Sequence, residues 1–407
     1  MSVSETKMTT LNQAHWSDTV SVEVAQILQL PDFFAQENNA NTVYDVAIIG
    51  GGIAGLSAAL SAAQKGATVI LLEKGERLGS GASGRNAGIL GAGVNMPITS
   101  MPEGHPAISL WQSTSSLVRE IYEEAKHAGS LLKTKQVGAF SFATSKTAVE
   151  RLKKEARARN SFNLDAVVVA PDTVQTLTGD KIDLRGVQAA LWLEDEGRIN
   201  PLTLLAQRAR QANELGVRFG GHAKVEKFSV VNDHWQLNIS DSRSEIVKKQ
   251  HLIVVKAKSL IVATGPIEEA NARIYAISFA VDLPDYFPLF WDAAPFVYYD
   301  YRYGDGYLTV SGGRYGQAGV SKNDENYHRK MIEAARKWLS CLKNELPAYA
   351  WAVDLNVTND MIPEINYFSN ELYGAKVAGL GALGVLPGMV LGARAGIEAV
   401  QKSPRKG

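Results

Sequence analysis

Three glycine-dense segments hold residues whose types and spacing point to chemistry. The first is Gly50-Gly51-Gly52-Ile53-Ala54-Gly55, a G-x-G-x-x-G pattern. Gly50 permits a tight turn off a strand, Gly52 lets backbone approach a pyrophosphate, and Gly55 lets the next helix pack closely. A diphosphate would then meet the free N–H groups of the helix N-terminus at Ile53 and Ala54, where the helix dipole favours anions. Glu73, followed by Lys74, ends the next predicted strand, where a carboxylate accepts from both ribose hydroxyls and repels a 2′-phosphate. The second segment runs Gly79-Ser80-Gly81-Ala82-Ser83-Gly84-Arg85-Asn86-Ala87-Gly88. NAD and FAD share the first pattern; Gly81, Ser83, Arg85, Asn86 and Gly88 point to FAD by combining close backbone approach with the donors that the polar edge of a flavin ring needs. The third, Gly379-Leu380-Gly381-Ala382-Leu383-Gly384, feeds a helix with Pro387 near its first turn. N–H groups of Gly381, Ala382, Leu383, Gly384 and Val385 aimed at the N1–C2 edge of a flavin would stabilise the anion formed on its reduction.

The elements that must position these residues are legible around them. Residues 43–49 form an apolar, β-branched run, as a buried parallel strand requires. A helix dense in Ala and Leu is expected over 53–65 and a second buried strand over 68–72. Strand, glycine turn, helix and strand make a βαβ unit that opens a doubly wound sheet. Asn200 and Pro201 read as the cap and first residue of a further helix, followed by short strands at 217–219 and 224–228 and a buried strand at 259–263. From about 270 to 358 the texture changes to aromatic alternation. Asp305-Gly306 between two such runs is a hairpin signal, and helical texture returns over 327–342. Residues 1–42 read as a polar arm with one short amphipathic helix near 22–30.

Composition bounds the function. The chain has 407 residues, 45% of them apolar, and 42 basic against 42 acidic side chains. A zero net charge argues against a protein that grips nucleic acid. One cysteine excludes an internal disulfide and a cysteine-based zinc site, and suits a reducing compartment. The seven histidines show no metal-ligand spacing, so no metal is expected. The two long uncharged stretches, 46–64 and 377–393, are too rich in glycine to read as transmembrane segments. No targeting segment is read at the N-terminus, and a cytoplasmic location is expected.

Gly81-Ala82-Ser83-x-Arg85-Asn86-x-Gly88 after such a βαβ unit resembles the D-amino-acid oxidase family, which includes glycine oxidase and sarcosine oxidase. Glu196-Gly197-Arg198-Ile199-Asn200-Pro201, Ile261-Val262-Ala263-Thr264-Gly265 and the C-terminal glycine turn are similar to family segments in the same order. The resemblance implies an α/β fold: a Rossmann-like, doubly wound FAD-binding domain of the glutathione-reductase-like kind, with a discontinuous antiparallel-sheet substrate domain. The expected division is 43–95, 195–268 and 359–407 for FAD, and 96–194 and 269–358 for substrate. Val225, Thr264 and Gly265 complete the expected cofactor set. The implied reaction is oxidation of an amine or amino acid by hydride transfer to flavin N5, giving an imine that hydrolyses, with O2 or another electron acceptor downstream. The C-terminal turn departs from the family in having the apolar spacers Leu380, Ala382 and Leu383. Cys341 lies far from every motif, so FAD is expected to be noncovalent and Cys341 a core residue.

For the substrate, alternation along 296–303 puts Phe296, Tyr298, Asp300 and Arg302 on one face. The resemblance makes Arg302 the carboxylate partner and Tyr298 a second candidate. Against this, Arg302 could pair only with Asp300, and Asp300 or Asp292 could instead meet a cationic substrate. Two rival functions share the N-terminal motif: an NAD(P)H-dependent flavin monooxygenase and a non-catalytic flavin-binding assembly protein.

Overall fold

The computed structural model describes residues 12–35, 42–94, 96–102, 104–243, 252–265, 270–292, 299–369 and 371–402. The opening strand Val43–Ile49 is buried on both faces, with Val46, Ala47 and Ile48 inaccessible to solvent. It pairs in parallel with Val69–Leu72 on one side and Ile253–Val262 on the other. Val69–Leu72 in turn pairs in parallel with Arg218–Gly220. Ile253–Val262 is longer than the sequence suggests and it forks. Its first half takes His234–Asp241 antiparallel, and its last three residues take Gly374–Ala378 parallel. With Ala223–Val231 and Glu364–Tyr367 at the edges, the sheet has eight strands.

The helix Ile53–Gln64 packs on this sheet together with Val385–Gln401 and Pro201–Glu214. Asn200 caps the last of these by accepting the Leu202 N–H at 3.1 Å, with Pro201 at the first position. The two glycine-flanked helices approach backbone to backbone. A Cβ at Gly392 or Gly396 would fall on the carbonyl oxygen of Ala54 or Ala58, so glycine sets how closely the helices cross.

A second eight-stranded sheet runs in the order Tyr349–Leu355, Ala272–Ala280, Tyr307–Tyr315, Asp300–Gly304, Leu289–Trp291, Ala139–Ala143, Ala189–Leu193, Val167–Val169. It is antiparallel except where Leu289–Trp291 meets Ala139–Ala143. The predicted hairpin is present: Asp305 (φ 56°) and Gly306 (φ 79°) turn Asp300–Gly304 into Tyr307–Tyr315, the double positive φ of a type I′ turn. One face of this sheet packs an aromatic core including Phe140, Phe142, Phe290 and Tyr301 with Met331 and Trp338 of the helix Asp324–Trp338. The other face packs Leu191, Leu193 and Leu289 against Leu152 and Ala156 of the helix Lys146–Ser161. A small third sheet joins Ile89–Leu90, Gly197–Ile199 and Thr134–Gln136.

One expectation needs correction. Cys341 is exposed, not core. The helix stops at Trp338, and Leu339 and Leu342 take the buried positions around the turn that contains Cys341. The helix expected in the N-terminal segment is present but shorter, and the described part of that segment is packed onto the body of the protein. Its helix Val22–Leu28 is capped by Ser21, and Trp16 and Phe33 are completely buried. The helix ends two residues short of the expected range because Pro31 disfavours helical backbone at Leu30.

Candidate active site

The glycine turns open onto one cavity of about 1130 Å³, lined from both large sheets. At the first turn Gly50 has φ 112°, and a Cβ there would strike the carbonyl oxygen of Ala263, so only glycine is tolerated. Gly50, Gly52, Ile53 and Ala54 line the cavity. Gly55 does not; it lies behind them, where a Cβ would meet the Gly50 carbonyl. No side chain of Gly52 caps the helix, and the Ile53 N–H donates to Ser83 Oγ at 3.0 Å. The Glu73 carboxylate accepts from Gly51 N–H (2.7 Å) and Gly75 N–H (2.8 Å) at the cavity wall, beside Lys74.

The second segment forms a short 3-10 turn at Ala82–Gly84. Asn86 ties it together: its Nδ2 donates to the Ser83 carbonyl (2.6 Å) and its Oδ1 accepts from Gly88 N–H (2.9 Å). Arg85 Nη2 donates to the Ala352 carbonyl (2.8 Å), and Trp351 Nε1 donates to the Arg85 carbonyl (2.8 Å). Arg85 Nε is buried without a partner among the described residues. Gly81, Ser83, Arg85 and Asn86 line the cavity, as do Val225, Thr264 and Gly265. Gly88 lies outside the lining, facing the Trp16 ring.

At the third segment Gly379 and Gly381 adopt positive φ (69° and 61°). Their N–H groups donate to Asn356, at Oδ1 (3.1 Å) and at its carbonyl (3.2 Å). The helix Val385–Gln401 begins without a side-chain cap, and Gly381, Ala382, Leu383, Gly384 and Val385 all line the cavity. Two helix N-termini whose cap residues are glycines, one of them met by the Ser83 hydroxyl, a carboxylate and an orphaned guanidinium nitrogen therefore border one space. That donor set suits a dinucleotide with an anionic diphosphate and a ring that gains charge on reduction.

Of the two substrate candidates, Tyr298 lies outside the described residues. Arg302 is not brought into the cavity lining. It shares a strand face with Asp300, but its end of the face is covered by the N-terminal segment. Trp16 stacks on the guanidinium 4.7 Å from its carbon. Arg302 donates to the Gly304 carbonyl (3.2 Å) and the Ile199 carbonyl (3.3 Å), and pairs with Asp305 at 3.6 Å rather than with Asp300. Burial lowers its pKa to about 10 and that of neighbouring His15 to about 3.

The cavity instead displays Asp300, the alternative that the sequence offered for a cationic substrate, together with groups that the sequence reading left out of the site. Asp300 and Ser311 both line it, with the Ser311 hydroxyl donating to Asp300. Burial, reinforced by Asp292, pushes the Asp300 carboxyl up to about 7. Glu196 lines it too, 5% exposed, with Oε2 unpartnered among the described residues; burial pushes its carboxyl up to about 8. Arg159, Glu155 and Trp111 complete that wall. Glu196 stands in the quoted Glu-Gly-Arg-Ile-Asn-Pro segment. The segment from Arg151 to Arg159 is strongly basic and reads from sequence as a solvated helix face, which hides Arg159, although Leu152, Glu155, Ala156 and Arg159 keep helical spacing.

No helix among the described residues is long and apolar enough to cross a membrane. The probable oxidoreductase OrdL of Haemophilus influenzae is 24% identical over 361 residues, covering 81% of this chain and 77% of its own. The fold is similar to glycine oxidase from Geobacillus kaustophilus (TM-score 0.71, 16% identity, 89% of this chain and 95% of that one). It is equally similar to FAD-bound L-α-glycerophosphate oxidase from Mycoplasma pneumoniae (TM-score 0.71, 15% identity, 89% and 97% covered). Residues 45–395 match the DAO family, described as FAD dependent oxidoreductase. With a match that spans nearly the whole cavity-forming chain, this protein belongs to the DAO family of FAD-dependent oxidoreductases.

Proposed function

We propose that this protein oxidises the C–N bond of an amine or amino acid, with FAD held noncovalently across the glycine turns. The observation that carries this reading is that Glu196 and Asp300, two buried carboxyl groups held toward their protonated forms, both line the cavity onto which the glycine turns open. Bound FAD supplies a two-electron acceptor. Gly50, Gly52 and the N-terminus of Ile53–Gln64 would receive its diphosphate, Glu73 its ribose, and the N-terminus of Val385–Gln401 the polar edge of its ring. No histidine or cysteine is among the described residues lining the cavity, which supports noncovalent attachment.

An amine must lose its extra proton before it can be oxidised. Asp300, raised to about 7 by burial, takes that proton near neutral pH and accepts an N–H from the substrate. Ser311 holds the Asp300 carboxyl in place. Leu191, Leu193 and Trp291 exclude water from the same wall. The test is anaerobic mixing with a panel of amines and amino acids, followed by NADH and NADPH. Loss of flavin absorption with at least one amine, and its return on readmitting air or an artificial acceptor, is expected. Reduction by NADH or NADPH while every amine fails would overturn the reading in favour of a monooxygenase.

A further inference from the structure

The helix Lys146–Ser161 presents Arg151, Lys153 and Lys154 to solvent, yet Arg159 is turned inward, its side chain 13% exposed, and lines the cavity. We propose that Arg159 is the receptor for an anionic group of the substrate, so that the molecule oxidised bears a carboxylate as well as an amine. The proposal rests on the reading of the cavity as an amine-oxidising site and deepens it.

The guanidinium is oriented before any ligand arrives. Its Nε donates to Glu155 Oε1 at 3.0 Å, and its carbon sits 4.5 Å from the centroid of the Trp111 ring. Glu155 is itself held in place: it accepts from Ile98 N–H (3.1 Å), Thr99 N–H (3.1 Å) and the Thr99 hydroxyl (2.8 Å). A carboxylate with four donors fixes the arginine through one nitrogen only. The two terminal nitrogens are the fork that matches a second carboxylate. Stacking on an aromatic face fixes the plane of that fork and lowers the entropy lost on binding.

Glu196 stands on the same wall, close enough to Arg159 for their charges to interact, with Oε2 buried and unpartnered among the described residues. The fork would take the carboxylate of the substrate, and Asp300 keeps its role toward the amine. Leu152 of the same helix and Met96 add apolar lining to the cavity. Arg302 cannot serve instead. Its terminal nitrogens are spent on two carbonyls and Asp305, and the Trp16 ring covers it, away from the lining.

The test uses benzoate as the carboxylate probe and benzylamine as its counterpart without the carboxylate. Binding of each is followed by titration calorimetry on the purified protein, with flavin absorption recorded on the same samples. Benzoate binding that weakens at least about 30-fold in Arg159→Gln, and less in Arg159→Lys, is the expected result, on the scale of charge-assisted hydrogen bonds. Benzylamine affinity should stay within about threefold in both variants, as should benzoate affinity in Arg302→Gln. If Arg159→Gln does not fold, the Arg159→Lys comparison decides alone. Benzoate affinity unchanged in the variants, absent in the wild type, or lost in parallel with benzylamine would overturn the proposal. A colourless protein that still binds benzoate through Arg159 would refute the cofactor reading and leave this assignment standing.

Discussion

Trp16→Ala tests whether the N-terminal segment is part of the machinery or an appendage. The Trp16 side chain is 0% exposed, its Nε1 donates to the Asn86 carbonyl at 2.9 Å, and its ring covers Arg302. Truncating a buried tryptophan costs roughly 3–5 kcal/mol for the lost transfer energy and the cavity left behind. The lost hydrogen bond adds about 1 kcal/mol, and a buried arginine loses its aromatic cover. We expect a total near 5 kcal/mol, a third or more of the roughly 5–15 kcal/mol that stabilises a typical domain. Urea unfolding followed by circular dichroism measures this. Trp16→Phe keeps the ring but not the N–H and should lose only about 1 kcal/mol. Both variants lose the bond to Asn86, but only Trp16→Ala also removes the ring packed against Gly88 at the end of the cofactor turn, so it should release flavin faster than Trp16→Phe. A loss under about 1.5 kcal/mol with unchanged flavin release would refute the argument that this segment supports the site.

Other consequences follow from the same contacts. Gly392→Ala places a methyl group on the Ala54 carbonyl and should destabilise the protein by roughly 1–3 kcal/mol, read by urea unfolding. It should also weaken FAD binding, because it displaces the helix that begins at Ile53. Glu73→Ala removes an acceptor of two backbone N–H groups and should weaken FAD by roughly tenfold or more in an equilibrium titration. Glu196 binds its proton more tightly folded (about 8) than unfolded (about 4.5). Across that window the native state holds a proton that the unfolded chain has lost, so stability falls as pH rises. Glu196→Gln should flatten the fall by up to about 1.4 kcal/mol per pH unit, measured by unfolding the flavin-free protein at several pH values.

The cofactor side was legible because its constraints are local. A positive φ at Gly50, the apolar run through Val43–Ile49 and the Asp305-Gly306 turn each follow from a few neighbouring residues. The family order of the later segments then placed the C-terminal turn against the first. The substrate side was not legible, because there the outcome depends on which distant element covers which face. Alternation put Arg302 beside Asp300, but Trp16 from the other end of the chain closes over it. A basic run hid Arg159, since composition does not show that Trp111 and Glu155 draw one arginine of the run inward. Cys341 was misjudged by the same logic: its surroundings depend on where the helix stops, and Leu339 and Leu342 compete for the core.

The most direct measurement is the flavin content of the purified protein after incubation with FAD and removal of the excess. About one FAD per chain, released intact into the supernatant when the protein is denatured, is the predicted result. A chain that remains colourless while correctly folded, or one that retains flavin covalently after denaturation, would contradict it.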